Sequence, residues 1–287
     1  MPMAIDTGSE GSAVDPVVAS NLHLAERRVL QDTMYDAEGE QFTYLAVLHT
    51  LGIGDMHANE VRVLVWPSPM SRDGRVAGVI AADLLRHFDV DIDFGAHKLN
   101  LFSQDHCPGR VVYWAKDNVA IVPMHVVNSG HIILPITLDS HPIDAVLDTG
   151  SSYSVISMEV AKSAFGLSPD SPDMTRIGDI SGAVQTAVYR HTFKTLDLER
   201  LTIANPALLI RDNLMKYSLT QRPHTGSRLS DVTESDGVTD ITLGLNELRH
   251  LHLYIAYKEQ KLYITPASLR IANSAPAAAP ATTAATH

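Results

Sequence analysis

The sequence predicts an all-β fold built as two lobes, with a few short helices. Three observations predict it. The tetrapeptide Asp-Thr-Gly-Ser occurs twice, as Asp6-Thr7-Gly8-Ser9 and Asp148-Thr149-Gly150-Ser151. Each copy follows small apolar residues (Ala4-Ile5, Val146-Leu147) and precedes an apolar pair (Ala13-Val14, Val155-Ile156). A second matched stretch lies downstream, where Leu84-Leu85-Arg86-His87-Phe88 aligns with Glu247-Leu248-Arg249-His250-Leu251 and Lys98-Leu99 with Lys261-Leu262. The acids are 142 residues apart and the arginines 163, so the units agree at both ends and differ by 21 residues between them. A repeat of this size is a pair of domain-sized lobes, not a solenoid period. Third, the rest of the chain is mostly short runs of β-branched and aromatic residues separated by Gly, Pro, Asn and Asp.

Taken in order, the first unit offers a helix over 15–24, strands over 42–48 and 60–66, a helical turn around Leu84 and a strand over 90–101. Runs at 111–114 and 119–127 follow. The second unit offers strands over 132–138 and 145–147, a helix over 158–165, and strands over 185–193 and 207–210. A helical turn at Leu248 and a strand over 253–264 complete it. This gives a first lobe at 1–106, a connection at 107–130, whose apolar content expects a pairing partner, and a second lobe at 131–270. The Ala, Pro and Thr of 271–287 cannot build a core, and the expectation there is a disordered tail.

Composition removes several function classes. With 287 residues and 45% apolar content the chain can bury two modest cores. A net charge of −11 without a basic stripe argues against a nucleic-acid partner. Cys107 is the only cysteine, which excludes an internal disulfide and a cysteine-based zinc site. No apolar run approaches the roughly 18 residues needed to span a bilayer. There is no His-Glu-x-x-His helix and no Gly-x-Ser-x-Gly elbow, and Gly52-Ile53-Gly54 lacks a third glycine, so no metal or cofactor is expected. Asp89, Asp91 and Asp93 have calcium-loop spacing, but glycine is missing at the sixth position and Asn100 stands where a bidentate Glu belongs. The expectation is an alternating strand with its acids in solvent.

The paired motif carries the chemistry. Two carboxylates within hydrogen-bonding distance cannot both ionise easily, so they share a proton. The ionised member can activate water against a peptide carbonyl while the protonated member donates to the carbonyl oxygen. Gly8 and Gly150 permit a tight loop around each acid. Thr7 and Thr149 are placed to lock one loop against the other, and Ser9 and Ser151 to orient the carboxylates.

These loops, Ile5-Asp6-Thr7-Gly8-Ser9 and Leu147-Asp148-Thr149-Gly150-Ser151, resemble the active-site loops of aspartic proteases, retropepsin-like ones in particular. The family's apolar-apolar-Gly element ahead of a short helix is carried at Leu243-Gly244, and at Ile80-Ala81 with alanine in place of glycine. The resemblance covers residues 1 to about 266. It implies two retropepsin-like β-barrel lobes related by a pseudo-twofold axis, with catalytic Asp6 and Asp148 facing a cleft for a peptide or protein substrate. It also implies flaps at 36–42 around Gly39 and 179–189 around Gly182, no cofactor, and a monomer with pseudo-dimeric lobes. Two other readings stay open: a peptide-binding module of this fold with catalysis lost through its first lobe, and a homodimer pairing Asp148 between two chains. Only five residues precede Asp6, whereas a strand, turn and strand precede Asp148. The expectation is therefore a natural start upstream of Met1, where a signal peptide would make the protein periplasmic or secreted.

Overall fold

The computed structural model describes residues 1–28, 42–70, 75–180, 186–212 and 241–267. The first lobe begins with β1 (Ala4–Ile5), β2 (Ala13–Val14), α1 (Pro16–Asn21) and β3 (Arg27–Arg28). It continues with β4 (Tyr44–Ile53), β5 (Met56–Val65), β6 (Gly78–Ile80) and α2 (Ala82–Leu85). After β7 (Asp89–Asp93), β8 (Lys98–Phe102), β9 (Ala120–Pro123) and β10 (His125–Val126), the second lobe opens with β11 (Ile132–Leu138) and β12 (His141–Leu147). Then come β13 (Val155–Ser157), α3 (Met158–Phe165), β14 (Thr175–Ile180), β15 (Thr186–Thr192), β16 (Thr195–Leu198), β17 (Leu201–Ala204) and β18 (Ala207–Arg211). The chain finishes with β19 (Ile241–Leu243), a four-residue helix α4 (Leu245–Leu248), β20 (Leu251–Ala256) and β21 (Lys261–Pro266).

The fold is all-β with two lobes, and the lobes share one strand plan. The first-lobe sheet runs β1-β6-β2-β5-β4-β3, and the larger second-lobe sheet contains β12-β19-β13-β18-β15-β14 in the same succession. Pairing senses also correspond: β1 with β6 and β12 with β19 are parallel, β2 with β6 and β13 with β19 antiparallel. The second-lobe sheet adds β11, β16 and β17 beyond β12, with β10 beside β11. Alternation builds β11, since Ile132, Leu134, Ile136 and Leu138 face inward and are at most 3% exposed. α3 starts at Ser157, whose hydroxyl accepts the Val160 amide, and stops at Gly166 in the left-handed region, φ 67°.

A third sheet, β8-β7-β20-β21-β9, joins the lobes. Its centre is the antiparallel pairing of β7 with β20, Ile92 opposite Leu253, so each lobe contributes a hairpin. The main core runs through this sheet, from Ile80, Leu85 and Val90 by way of Val122 to Leu134, Leu147, Leu243, Leu253 and Ile264. Burial of a side chain of this kind contributes about 1.5–3 kcal/mol. The first lobe keeps a smaller cluster of its own around Val14, Ala46, Val63 and Val65.

Several expectations need correction. Stretches 90–101 and 253–264 are each a hairpin, not one strand, because His97 and Gln260 both turn at φ 53°. Residues 111–114 form no strand and instead lie over the face of β7 and β20, with Trp114 stacked on His252 at 4.2 Å. That cover overturns the solvated-acid reading of β7: Asp89, Asp91 and Asp93 are 0%, 1% and 8% exposed. The connection does find a pairing partner, because β9 pairs with β21. Gly39 and Gly182, with the tail at 271–287, lie outside the described residues.

Candidate active site

Each Asp-Thr-Gly loop begins where a core strand ends. The Asp6 amide donates to the Ile80 carbonyl at 3.0 Å and the Asp148 amide to the Leu243 carbonyl at 2.9 Å, so both acids leave their sheets at equivalent points. The loops then grip each other. Thr7 Oγ1 donates to the Leu147 carbonyl at 2.7 Å and accepts the Thr149 amide at 3.1 Å. Thr149 Oγ1 donates to the Ile5 carbonyl at 2.7 Å and accepts the Thr7 amide at 3.1 Å. Thr7 is fully buried and Thr149 nearly so, which strengthens these four bonds relative to surface ones.

That grip sets how closely the acids approach. A Cβ on Gly8 would stand 2.2 Å from Asp148 Cγ, and one on Gly150 would stand 2.3 Å from Asp6 Cγ. Only glycine leaves room for each loop to rest on the other's carboxyl. The two carboxyls are thereby brought close enough for each to shift the other's titration. The Gly8 amide donates to Asp6 Oδ1 at 2.8 Å, and the Gly150 and Ser151 amides donate to Asp148 Oδ1 at 2.8 and 3.0 Å. The serine hydroxyls do not orient the acids as expected. Ser151 Oγ donates to the Tyr153 carbonyl at 2.8 Å, and Ser9 Oγ approaches the Gly11 carbonyl at 3.5 Å. It is the backbone amides that hold the carboxylates.

The electrostatics are uneven. Burial, then the charge of Asp148, pushes the Asp6 carboxyl up to about 7, against the pull of the Gly8 and Ser9 amides. Burial also raises Asp148, but the Gly150 and Ser151 amides, Asp6 and the charge of His131 all oppose it. Both carboxyls are thus raised, and because each acts on the other they titrate as a pair and not as two separate acids.

Beneath each loop lies a support that sequence reading missed. Ser12 Oγ accepts the Ala81 amide at 2.9 Å and donates to Asp83 Oδ1 at 2.6 Å. Ser154 Oγ accepts the Gly244 amide at 3.0 Å, while the Ser154 amide donates to Asn246 Oδ1 at 2.5 Å. These bonds tie α2 and α4 to the loops. The matched stretches held the signal, because the offset of 142 between the acids carries Ser12 onto Ser154 and the offset of 163 between the arginines carries Asp83 onto Asn246. Ala81 is fully buried and repeats the amide bond of Gly244, with Gly11 at the position aligned with Tyr153. Among the described residues no group of three or more His, Cys, Asp or Glu is arranged to hold a metal ion. Nor is any helix among the described residues long and apolar enough to cross a membrane.

A family model described as Aspartyl protease matches residues 1–84 and 134–246. Among solved structures, the chain is similar to a retropepsin-like aspartic protease from Rickettsia conorii, at 14% identity over 54% of this chain and 96% of that one, TM-score 0.33. It is also similar to Basic 7S globulin from soybean, at 9% identity over 91% and 88%, TM-score 0.43. A third is the retroviral protease-like domain of Ddi1 from Leishmania major, at 18% identity over 47% and 79%, TM-score 0.27. No curated protein matches the sequence.

Proposed function

The chain belongs to the aspartyl protease family, and from that premise we propose that it is an aspartic endopeptidase acting through Asp6 and Asp148 of one molecule. The observation that carries this reading is the crossed threonine bonds that seat each loop's glycine against the opposite carboxyl, bringing the two acids together. In the mechanism we take Asp148 as the ionised member, because two amides donate to its Oδ1 against one to Asp6 Oδ1, and Asp6 as the member that holds the proton. Asp148 takes a proton from a water, whose oxygen attacks the carbonyl carbon of the scissile peptide. Asp6 gives its proton to the carbonyl oxygen, forming a gem-diol. Proton transfer to the amide nitrogen then lets the C–N bond break, releasing an amine and a carboxylic acid. Peptide or protein is the proposed substrate, and no cofactor takes part.

The crossed threonine bonds within one chain favour this single-chain dyad over Asp148 pairing between two molecules. The site is tested with pepstatin, a peptide mimic carrying a hydroxyl where the attacking water would sit. Cleavage of an unstructured protein at acid pH should be stopped by it at one inhibitor per chain. Cleavage that is indifferent to pepstatin and blocked by a chelator would sink the proposal, and so would one inhibitor bound per two chains.

A further inference from the structure

The turn between β10 and β11 brings a histidine to the first-lobe loop. Gly130, at φ 90°, closes the turn with its amide on the Val127 carbonyl at 2.8 Å, and a Cβ there would stand 2.7 Å from the Ala82 methyl. The turn is thus seated tightly on α2. From it, His131 Nε2 reaches the Gly8 carbonyl at 2.9 Å and Nδ1 meets Ser129 Oγ at 2.6 Å. A carbonyl only accepts, so Nε2 carries a proton in both charge states of the ring. A neutral ring accepts the Ser129 hydroxyl at Nδ1, and a charged ring donates to the same oxygen. The imidazole can therefore gain or lose charge without giving up either contact.

We propose that His131 is a positioning residue of the dyad, its ring holding the Gly8 peptide against the Asp148 carboxyl and, when charged, placing a positive charge beside the pair. This rests on the aspartic-endopeptidase reading of the same site. Gly8 links the two effects, since its amide binds Asp6 Oδ1 and its α-carbon packs on the Asp148 carboxyl. The loop the ring touches carries Asp6, and Asp148 lies against Gly8 of that loop. On α2, which packs against the turn, Asp83 has its Oδ1 occupied by Ser12. The turn itself contributes Ser129, which carries no charge. Of the dyad, Asp148 is the member whose ionisation the charge of His131 assists.

The experiment is the pH dependence of kcat/KM for peptide cleavage by the wild type and His131→Gln, with the dyad carboxyls followed by carbon-13 NMR. The glutamine amide can donate to Gly8 as Nε2 does, but it carries no charge. Losing a nearby positive charge makes the first ionisation of the pair harder. The acid limb and the matching carboxyl titration should move up by about 0.5–1 pH unit, a roughly three- to tenfold change in proton affinity, with KM little changed. A uniform loss of rate with both titrations unmoved overturns the proposal. Should His131→Gln not fold, the wild type still decides: the Asp148 resonance must show a second inflection coincident with titration of the His131 ring, and its absence is equally fatal. A wild type that cleaves nothing while His131→Gln shifts the carboxyl titration supports the His131 coupling and refutes the protease reading. An active wild type with an unmoved titration does the reverse.

Discussion

At Gly8 and Gly150 one missing methyl group decides whether two acids can share a proton. An alanine at either position would place its Cβ inside the opposite carboxyl, so the loops must part. We expect Gly150→Ala to lower kcat/KM by at least about a hundredfold, because a displacement near 1 Å is enough to cost that much. Asp6 tells a second story at the same scale. A carboxyl whose folded pKa is raised contributes stability that is fully present below its unfolded value and is lost as pH rises through the folded one. For Asp6 that loss runs from the usual carboxylate range to about 7. Asp6→Asn should therefore abolish cleavage and yet stabilise the fold at pH 7 by roughly 1–3 kcal/mol, with the gain vanishing below about pH 4 in thermal unfolding. Equal stability of the two proteins at pH 7 would show that the dyad carries no such strain. Asp6, Thr7, Asp148 and Thr149 were legible as a motif because their chemistry sits within four consecutive residues. Ser12, Asp83 and His131 were not, because their partners lie 69, 71 and 123 residues away and no local pattern announces them.

Strand β7 shows where pattern reading fails at the scale of an element. Its alternation of Asp89, Asp91 and Asp93 with Val90 and Ile92 looks like a half-solvated edge, yet β7 is an inner strand whose acid face is covered from elsewhere in the chain. His252 Nε2 lies 2.5 Å from Asp91 Oδ1, Tyr113 donates to Asp91 Oδ2 at 2.5 Å, and His106 Nε2 lies 2.6 Å from Asp89 Oδ2. Burial alone would raise Asp91, but the bonds from His252, Tyr113 and Asn100 outweigh it and hold the carboxyl below its usual range. That contribution is present above the unfolded value and is lost as pH falls through the folded one. The bond to Asp89 raises His106, whose contribution is present below about pH 6.5 and fades as pH rises through its folded value. Accordingly, the destabilisation caused by His106→Ala should be largest in mild acid and shrink toward alkaline pH in denaturant titrations. Asp91→Ala, which strands His252 in the core, should cost about 3–4 kcal/mol. The elements whose bounds are legible to the residue, 132–138 and 158–165, are those with clear internal periodicity. Two-residue strands such as β1, β2 and β3 leave no period to read, and the hairpin turn at Gln260 holds no Gly, Pro, Asn or Asp, whereas the one at His97 does hold Gly95.

For the whole molecule, two of the contacts between the lobes among the described residues are the sheet formed by β7, β8, β9, β20 and β21 and the crossed threonines beneath the acids. Both join parts of one chain, so the proposed active unit is the monomer. Specific activity should hold constant on dilution into the nanomolar range, where a dyad built from two chains would lose activity as the dimer dissociates. The pH profile belongs to this scale as well, because the proton is shared between lobes. Activity should fall as pH rises past about 7, where Asp6 gives up its proton, and a rate that keeps climbing into alkali would point to different chemistry. The central claim is that one carboxyl from each lobe completes the site. Peptide cleavage by the wild type, Asp6→Asn and Asp148→Asn, measured side by side at acid pH with folding of each verified by circular dichroism, tests it most directly. The account predicts that either substitution alone lowers kcat by a thousandfold or more in a folded protein, since one carboxyl cannot be base and acid in the same step. Full activity in Asp6→Asn beside a dead Asp148→Asn would contradict it, as would activity untouched by both.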